Sequence, residues 1–207
     1  VSAYVVGLTG GVGSGKSAAA DRFVEHGAVL VDTDVIAREL TTADGAALPA
    51  LRAAFGAGIC DESGAMDREA MRRIVFADPE AKRSLESILH PMIRQLAAER
   101  CQAAASPYVI LAVPLLVESG NYRERCRRIV VVDCPEEMQL ERVMRRNGLS
   151  AAEVRAIISA QASRQQRLAI ADDVLTNDSD LSNLYRQVDA LHLKYLGLAA
   201  EILKASC

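Results

Sequence analysis

Tyr4-Val5-Val6-Gly7-Leu8 runs through Thr9 into Gly10-Gly11-Val12-Gly13-Ser14-Gly15-Lys16-Ser17, so an apolar stretch is followed by a glycine-rich loop and then by a helix-compatible segment. Glycines let the backbone adopt positive φ and turn its N–H groups inward, and the start of the following helix adds partial positive charge. Both properties suit a polyphosphate. Lys16 sharpens the reading, because a lysine in the first helical turn opposes the macrodipole at a cost of roughly 0.3–1 kcal/mol unless an anion sits there. Ser17 falls where a hydroxyl can ligate Mg²⁺. A turn that merely caps a helix would account for the glycines but not for Lys16. The segment therefore reads as a nucleotide-phosphate cradle.

Working outward, short apolar runs at residues 4–8, 28–31, 108–113, 128–132 and 173–175 alternate with helical patterns. This predicts an α/β fold built on a five-stranded parallel sheet covered by helices on both faces. The first helix ends after Phe23 and Val24, near His26-Gly27, with glycine as its C′ residue. Residues 40–107 turn almost wholly helical, with a polar break over 56–64 and a helix start at Asp78-Pro79, where proline occupies the first turn. His90-Pro91 predicts a kink or a helix boundary. Ser150-Ala151-Ala152-Glu153 has capping-box spacing just beyond Asn147-Gly148, so residues 142–167 read as two helices about a polar turn. Leu181, Leu184, Val188, Leu191, Tyr195, Leu198 and Ile202 recur at helical spacing and predict a long C-terminal helix packed on the sheet. The expected organisation is one core of residues 1–39, 108–141 and 168–207, carrying a helical insertion at 40–107 and a lid at 142–167.

Composition narrows the function classes. With 207 residues and 50% hydrophobic content the chain can bury a sizeable core. No apolar run approaches membrane-spanning length, and the chain enters its first strand without a charged leader. Cys60, Cys101, Cys126, Cys134 and Cys207 are odd in number and contain no C-x-x-C pair, which argues against disulfides and zinc and for a reducing cytosol. A net charge of −3, no tryptophan and 4% aromatics disfavour nucleic-acid binding. Arg123, Arg125, Arg127, Arg128, Arg142, Arg145, Arg146, Arg155, Arg164 and Arg167 crowd a stretch without lysine. They suit phosphate recognition by bidentate donors, or else a solvated helical surface with Glu136, Glu137, Glu141 and Glu153 as partners.

Asp32-Thr33-Asp34 stands at the carboxyl end of the second strand, where doubly wound sheets bind ligands. Asp34 is the candidate general base for an acceptor hydroxyl, and Asp32 a candidate to hold magnesium through water; one of the two is expected to cap a helix beginning at Val35. Asp133 and Glu118 are rival magnesium candidates, although Asp133 before Cys134-Pro135-Glu136-Glu137 fits helix entry with Pro135 at the first position better. No N-K-x-D motif is present, which disfavours a GTPase.

These pieces together resemble the dephospho-coenzyme A kinase family, P-loop kinases similar in architecture to nucleoside monophosphate kinases. The resemblance rests on residues 8–17, on Val31-Asp32-Thr33-Asp34 with Ala37-Arg38, and on Leu85-Glu86-Ser87-Ile88-Leu89-His90-Pro91. It continues through Val113-Pro114-Leu115-Leu116-Val117-Glu118, Gln139-Leu140-Glu141-Arg142, and Ala160-Gln161-Ala162-Ser163-Arg164 on to Ala171-Asp172-Asp173-Val174-Leu175-Thr176-Asn177. It implies ATP-dependent phosphorylation of the ribose 3′-hydroxyl of dephospho-CoA with Mg²⁺ as cofactor. In that reading Gly11, Val12, Gly13, Ser14, Gly15, Lys16, Ser17 and Ala18 bind ATP phosphates, and Asn177 lies near the adenine. Asp34 accepts the hydroxyl proton, Lys16, Arg142 and Arg146 act on the transferring phosphoryl group, and Ser17 and Asp32 hold the metal. Thr9, His90, Pro91, Leu115 and Glu118 fall on the acceptor side. From its residues alone His90 reads as a local helix terminator, whereas the resemblance implies substrate contact. Two departures from the family pattern are Ala18, where threonine is usual, and Thr33 within Asp32-Thr33-Asp34, where alanine is commoner. The implied partners are the two small-molecule substrates, with no nucleic acid and no membrane, for a cytoplasmic monomer or small homo-oligomer. Rival readings are another small-metabolite kinase, acting on AMP, CMP or shikimate, and a nucleotide-controlled switch without an acceptor.

Overall fold

The computed structural model describes residues 4–120 and 124–205; Arg123 and Cys207, singled out above, lie outside the described residues. In chain order the elements are β1 (Val5–Gly10), α1 (Lys16–Glu25), β2 (Val29–Asp32), α2 (Thr33–Glu39), α3 (Leu48–Phe55), a 3-10 turn (Ala57–Ile59), α4 (Arg68–Ala77) and α5 (Pro79–Ala103). They continue with β3 (Val109–Ala112), α6 (Leu116–Ser119), β4 (Arg128–Asp133), α7 (Glu136–Asn147), α8 (Ala151–Ser159), α9 (Arg164–Ala169), β5 (Asp173–Thr176) and α10 (Leu181–Ala205). The chain divides into two compact units, Val1–Val31 with Arg100–Cys207, and Asp32–Glu99.

In the first unit the five expected strands form one parallel sheet in the order β2-β3-β1-β4-β5. Val5 of β1 lies opposite Val109 of β3, and Leu8 opposite Val130 of β4. The chain leaves β1 toward one side for β2 and β3 and later crosses to the other for β4 and β5. The carboxyl end of β1, where the glycine-rich loop begins, is thus a topological switch point. Val6, Leu8, Val130 and Val132 are buried against Phe23 of α1 and Leu184, Val188 and Tyr195 of α10. Phe23 meets Tyr108 edge-on at 6.4 Å between ring centres and stacks with Tyr195 at 6.0 Å. The stripe read for the last helix is therefore core from Leu184 onward, but Leu181 is 48% exposed. It occupies the first turn, where the helix has not yet reached the sheet's shelter.

The unit Asp32–Glu99 is almost wholly helical. Asp32 caps α2, its Oδ1 accepting from the N–H groups of Asp34 and Val35 at 2.8 and 3.4 Å. The helix consequently starts at Thr33, two residues before the expected Val35, because the cap precedes Thr33 and draws Asp34 into the first turn. Asp67 caps α4 in the same way. Pro79 opens α5 as expected, yet no boundary falls at His90-Pro91, and Pro91 lies inside the helix. The missing donor at Pro91 removes one intrahelical bond, while Arg94 Nε donates to the His90 carbonyl at 3.1 Å. Full turns on both sides let the helix carry that single loss.

Cys60, Cys101, Cys126 and Cys134 form no disulfide. No helix among the described residues is long and apolar enough to cross a membrane.

One buried carboxylate ties β5 to its neighbours. The Asp173 side chain is 4% exposed and pairs with Arg128 Nε at 2.8 Å and with Lys194, and Tyr195 Oη donates to it at 3.0 Å. Burial alone would raise this carboxyl, but the hydrogen bonds from Arg128, Lys194 and Tyr195 outweigh it and hold the group below the ordinary carboxylate value. A depressed folded-state pKa adds stability that is present above the unfolded value, about 4, and is lost as pH falls through the folded one. Asp173→Asn should accordingly lower stability by about 2 kcal/mol at pH 7, less than a fully buried pair because both cations are part-solvated. Denaturant titrations at pH 7 and pH 3 should show the gap between variant and parent narrowing in acid; an equal gap at both would exclude the linkage.

Candidate active site

The loop between β1 and α1 has the backbone that its glycines predict, with Gly13 at φ 72° and Gly15 at φ 98°. Gly15 is the N-cap of α1 and offers no capping side chain, and the first turn holds no acid. Its left-handed backbone excludes a side chain, and a Cβ there would lie 2.2 Å from Asn177 Nδ2. Among the described residues the backbone N–H groups of Gly13, Gly15, Lys16 and Ser17 make no hydrogen bond. Orphan donors at a helix start, with Lys16 unmatched by any carboxylate among the described residues, form a positive concavity shaped for an anion.

Four side chains from later in the chain hold this loop in place. Asn177, just past β5 and buried, donates from Nδ2 to the Ser14 carbonyl at 2.7 Å. Gln161, between α8 and α9, accepts the Val12 N–H at 3.0 Å. Gln139 of α7 and Arg167 of α9 press on Gly11, whose Cβ would lie 2.6 Å from Gln139 Oε1 and 2.9 Å from Arg167 Nη2. Thr9, buried at the end of β1, donates to the Pro114 carbonyl at 3.3 Å and so joins the loop's base to the segment before α6.

The expected site residues of this unit fall into two groups. Arg142 of α7 donates to Cys134 Sγ at 3.3 Å and to Asn177 Oδ1 at 3.5 Å, which brings it to the same amide that holds Ser14. Burial raises the Cys134 thiol, while Arg142 acts in the opposite direction. Arg146, one turn further on, is exposed and donates to its neighbour Asn147 at 2.9 Å. Leu115 precedes α6 and is half-exposed. Glu118 on α6 accepts the Ala162 N–H at 2.7 Å, so its carboxylate anchors the loop that carries Gln161. The helical pieces of residues 142–167 are α7, which ends at the left-handed Gly148, then α8 with both bonds of the Ser150–Glu153 capping box, and α9.

Asp133 does not serve helix entry as expected. Helix α7 begins at Glu136 with Pro135 as its N-cap, and the Asp133 carboxylate grips Arg164 with two bonds of 2.8 and 2.7 Å. That bidentate geometry neutralises the one carboxylate at the end of β4. Within the arginine-rich stretch Arg164 thus pairs with Asp133 and Arg128 with Asp173, while Glu153, one of the four expected glutamate partners, is taken by its capping box.

In the helical unit Asp34 lies exposed in the first turn of α2, and His90 and Pro91 lie exposed on α5. Gln139 and Gln161 stand in the motifs noted above and Arg167 in the arginine run, but nothing in the order of residues says which side chains fold back onto the loop.

Lys16→Ala should reduce affinity for ATP roughly tenfold to a hundredfold, the worth of charge-assisted contacts to phosphate. Since the lysine opposes the dipole, thermal stability without nucleotide should hold or rise slightly. Calorimetric titration and a melting curve check both; unchanged affinity would remove Lys16 from the anion site.

Comparison with known proteins gives one family. The dephospho-CoA kinase family model matches residues 4–183. A dephospho-CoA kinase of Dechloromonas aromatica is 71% identical over 207 residues, covering 100% of both chains. A solved structure from Thermus thermophilus superposes with a TM-score of 0.81 at 34% identity, covering 94% of this chain and 98% of that one. The dephospho-CoA kinase from Campylobacter jejuni superposes with a TM-score of 0.68 at 25% identity, covering 90% and 94%. With a phosphate cradle at the switch point of a five-stranded parallel sheet and a match along most of its length, the chain belongs to the dephospho-CoA kinase family.

Proposed function

We propose that this protein transfers the γ-phosphoryl group of ATP to the ribose 3′-hydroxyl of dephospho-CoA, giving CoA and ADP. The observation that carries the reading is the loop of orphan N–H groups with Lys16 at its centre, in a chain of this family. The 3′-oxygen forms the new bond to phosphorus, the bond to the β,γ-bridging oxygen breaks, and the hydroxyl proton passes to Asp34. Such a reaction asks the protein mainly for positioning and charge stabilisation. Lys16 and the loop N–H groups hold the β- and γ-phosphates. Arg142 and Arg146 meet the charge of the transferring group, and closure of residues 142–167 excludes water that would waste ATP. Asn177 sustains the cradle through Ser14. His90, Pro91, Leu115 and Glu118 contribute to the acceptor side.

The donor set suits magnesium that arrives with the nucleotide. No group of three or more His, Cys, Asp or Glu able to hold a metal occurs among the described residues, and Ser17 presents an exposed hydroxyl in the first turn of α1. Magnesium is commonly held by one or two protein oxygens plus phosphates and water. Ser17 and Asp32 would hold it here, and its chemistry is neutralisation of charge on the phosphate oxygens. Ala18 leaves Ser17 as the hydroxyl available at that turn.

An assay of ADP release with ATP and Mg²⁺ over dephospho-CoA, AMP, CMP, shikimate and no acceptor should give activity with dephospho-CoA alone. Acceptor-independent hydrolysis would favour a nucleotide switch instead. Asp34→Asn should keep ATP affinity and cut turnover ~10²-fold or more, as loss of a positioned base does. Near-normal turnover at saturating acceptor would remove Asp34 from that role.

A further inference from the structure

Arg167 of α9 is 7% exposed, and among the described residues it has no carboxylate partner. It donates from Nη1 to the Ala162 carbonyl. The other arginines near it are differently placed: Arg164 is satisfied by Asp133, and Arg128 by Asp173. Burial lowers the Arg167 guanidinium from its ordinary value, with Glu118, Asp133 and Glu136 acting in the opposite direction from a distance. A buried guanidinium keeps its charge, so it is costly in the free protein unless a counterion arrives.

The place it points to is specific. Nη2 packs on the Cα of Gly11, where a side chain would meet it at 2.9 Å. The neighbouring Gln139 Oε1 is buried without a hydrogen-bond partner, as is Ser14 Oγ inside the loop. The residue that accepts from Nη1 is itself fixed, since Ala162 N–H donates to Glu118 at 2.7 Å. The preceding residue, Gln161, holds the Val12 N–H at 3.0 Å. Residues 161–167 thus clasp the phosphate loop at Gly11 and Val12, and within that clasp stands a cation without a counterion. Structural bracing explains Gln161, but a neutral side chain could brace Gly11 without the cost of a desolvated charge.

We propose that Arg167 is a phosphate-recognition residue of the donor site, in which its guanidinium, seated on Gly11, supplies a fixed positive charge to the polyphosphate of the bound nucleotide. This rests on the donor-site reading of the phosphate loop and adds to Lys16 a second cation, one set by α9 rather than by α1. Because the charge is held in place before the nucleotide arrives, it adds to affinity for phosphate without a rotamer search.

Affinities for ATP, ADP and adenosine, each with Mg²⁺, should be measured by calorimetry or competition on the parent, Arg167→Gln and Arg167→Lys, with Lys16→Ala as the reference. Arg167→Gln should weaken ATP at least about tenfold and leave adenosine within about twofold, and Arg167→Lys should recover part of the ATP loss. Equal weakening of ATP and adenosine would assign a bracing role only and overturn the proposal, as would parent-like ATP affinity in Arg167→Gln. Should Arg167→Gln fail to fold, the Arg167 Nε–H resonance of the parent decides, assigned by its loss in Arg167→Lys. It should move on addition of inorganic tripolyphosphate and not of adenosine, and no movement with tripolyphosphate bound overturns the inference. A parent that binds no ATP would overturn the donor-site reading itself, whereas ATP binding lost in Lys16→Ala but kept in Arg167→Gln removes Arg167 alone.

Discussion

A loop that leaves its own backbone donors unbonded must be held from outside, and that constraint organises the first unit of this protein. Gly13, Gly15, Lys16 and Ser17 spend none of their N–H groups on the fold, so the segment from β1 to α1 has little internal reason to keep its shape. Asn177 at the end of β5, Gln161 before α9, and Gln139 and Arg167 on α7 and α9 supply the missing restraint. Each comes from an element C-terminal to β4, so the half of the sheet that forms last in the sequence secures the loop that comes first.

Charge follows the same division of labour. Asp133 and Asp173, the carboxylates on β4 and β5, are consumed by Arg164 and by Arg128 with Lys194. Two cations without a carboxylate partner among the described residues stand at the loop. Lys16 opposes the dipole of its own helix, and Arg167 is desolvated without a counterion. Both are unfavourable in the free chain, and in the proposed donor site a polyphosphate would make them favourable, which is how binding energy is stored in a site before the ligand arrives.

Much of this was legible in the residues. β4 reads as Ile129-Val130-Val131-Val132, an unbroken apolar run that only a sheet buried on both faces accepts, and all five strands lie within a residue or two of their runs. Local signals with a self-contained mechanism also hold in the structure, such as the Ser150–Glu153 box and the glycine end at Gly27. Misreadings came where a local preference met a competing partner. His90-Pro91 predicts a kink or a boundary, and no boundary falls there because Pro91 sits within a helix long enough to spare one bond. Asp133 looked like a helix entry because the sequence cannot display Arg164, thirty-one residues on, folding back to take both its oxygens.

The sequence by itself determined the class of loop: glycine spacing dictates a backbone with inward, unbonded donors, because the needed φ values and donors are properties of consecutive residues. It also determined the sheet, since hydrophobic periodicity is local. What only the tertiary structure decided is which distant side chains close on that backbone. Arg167 and Arg164 are near neighbours on one helix with the same chemistry, yet one is neutralised by a carboxylate and the other is buried against Gly11. That difference is set by the packing of α9 against β4 and the loop, a relation between segments some 150 residues apart that no window along the chain contains.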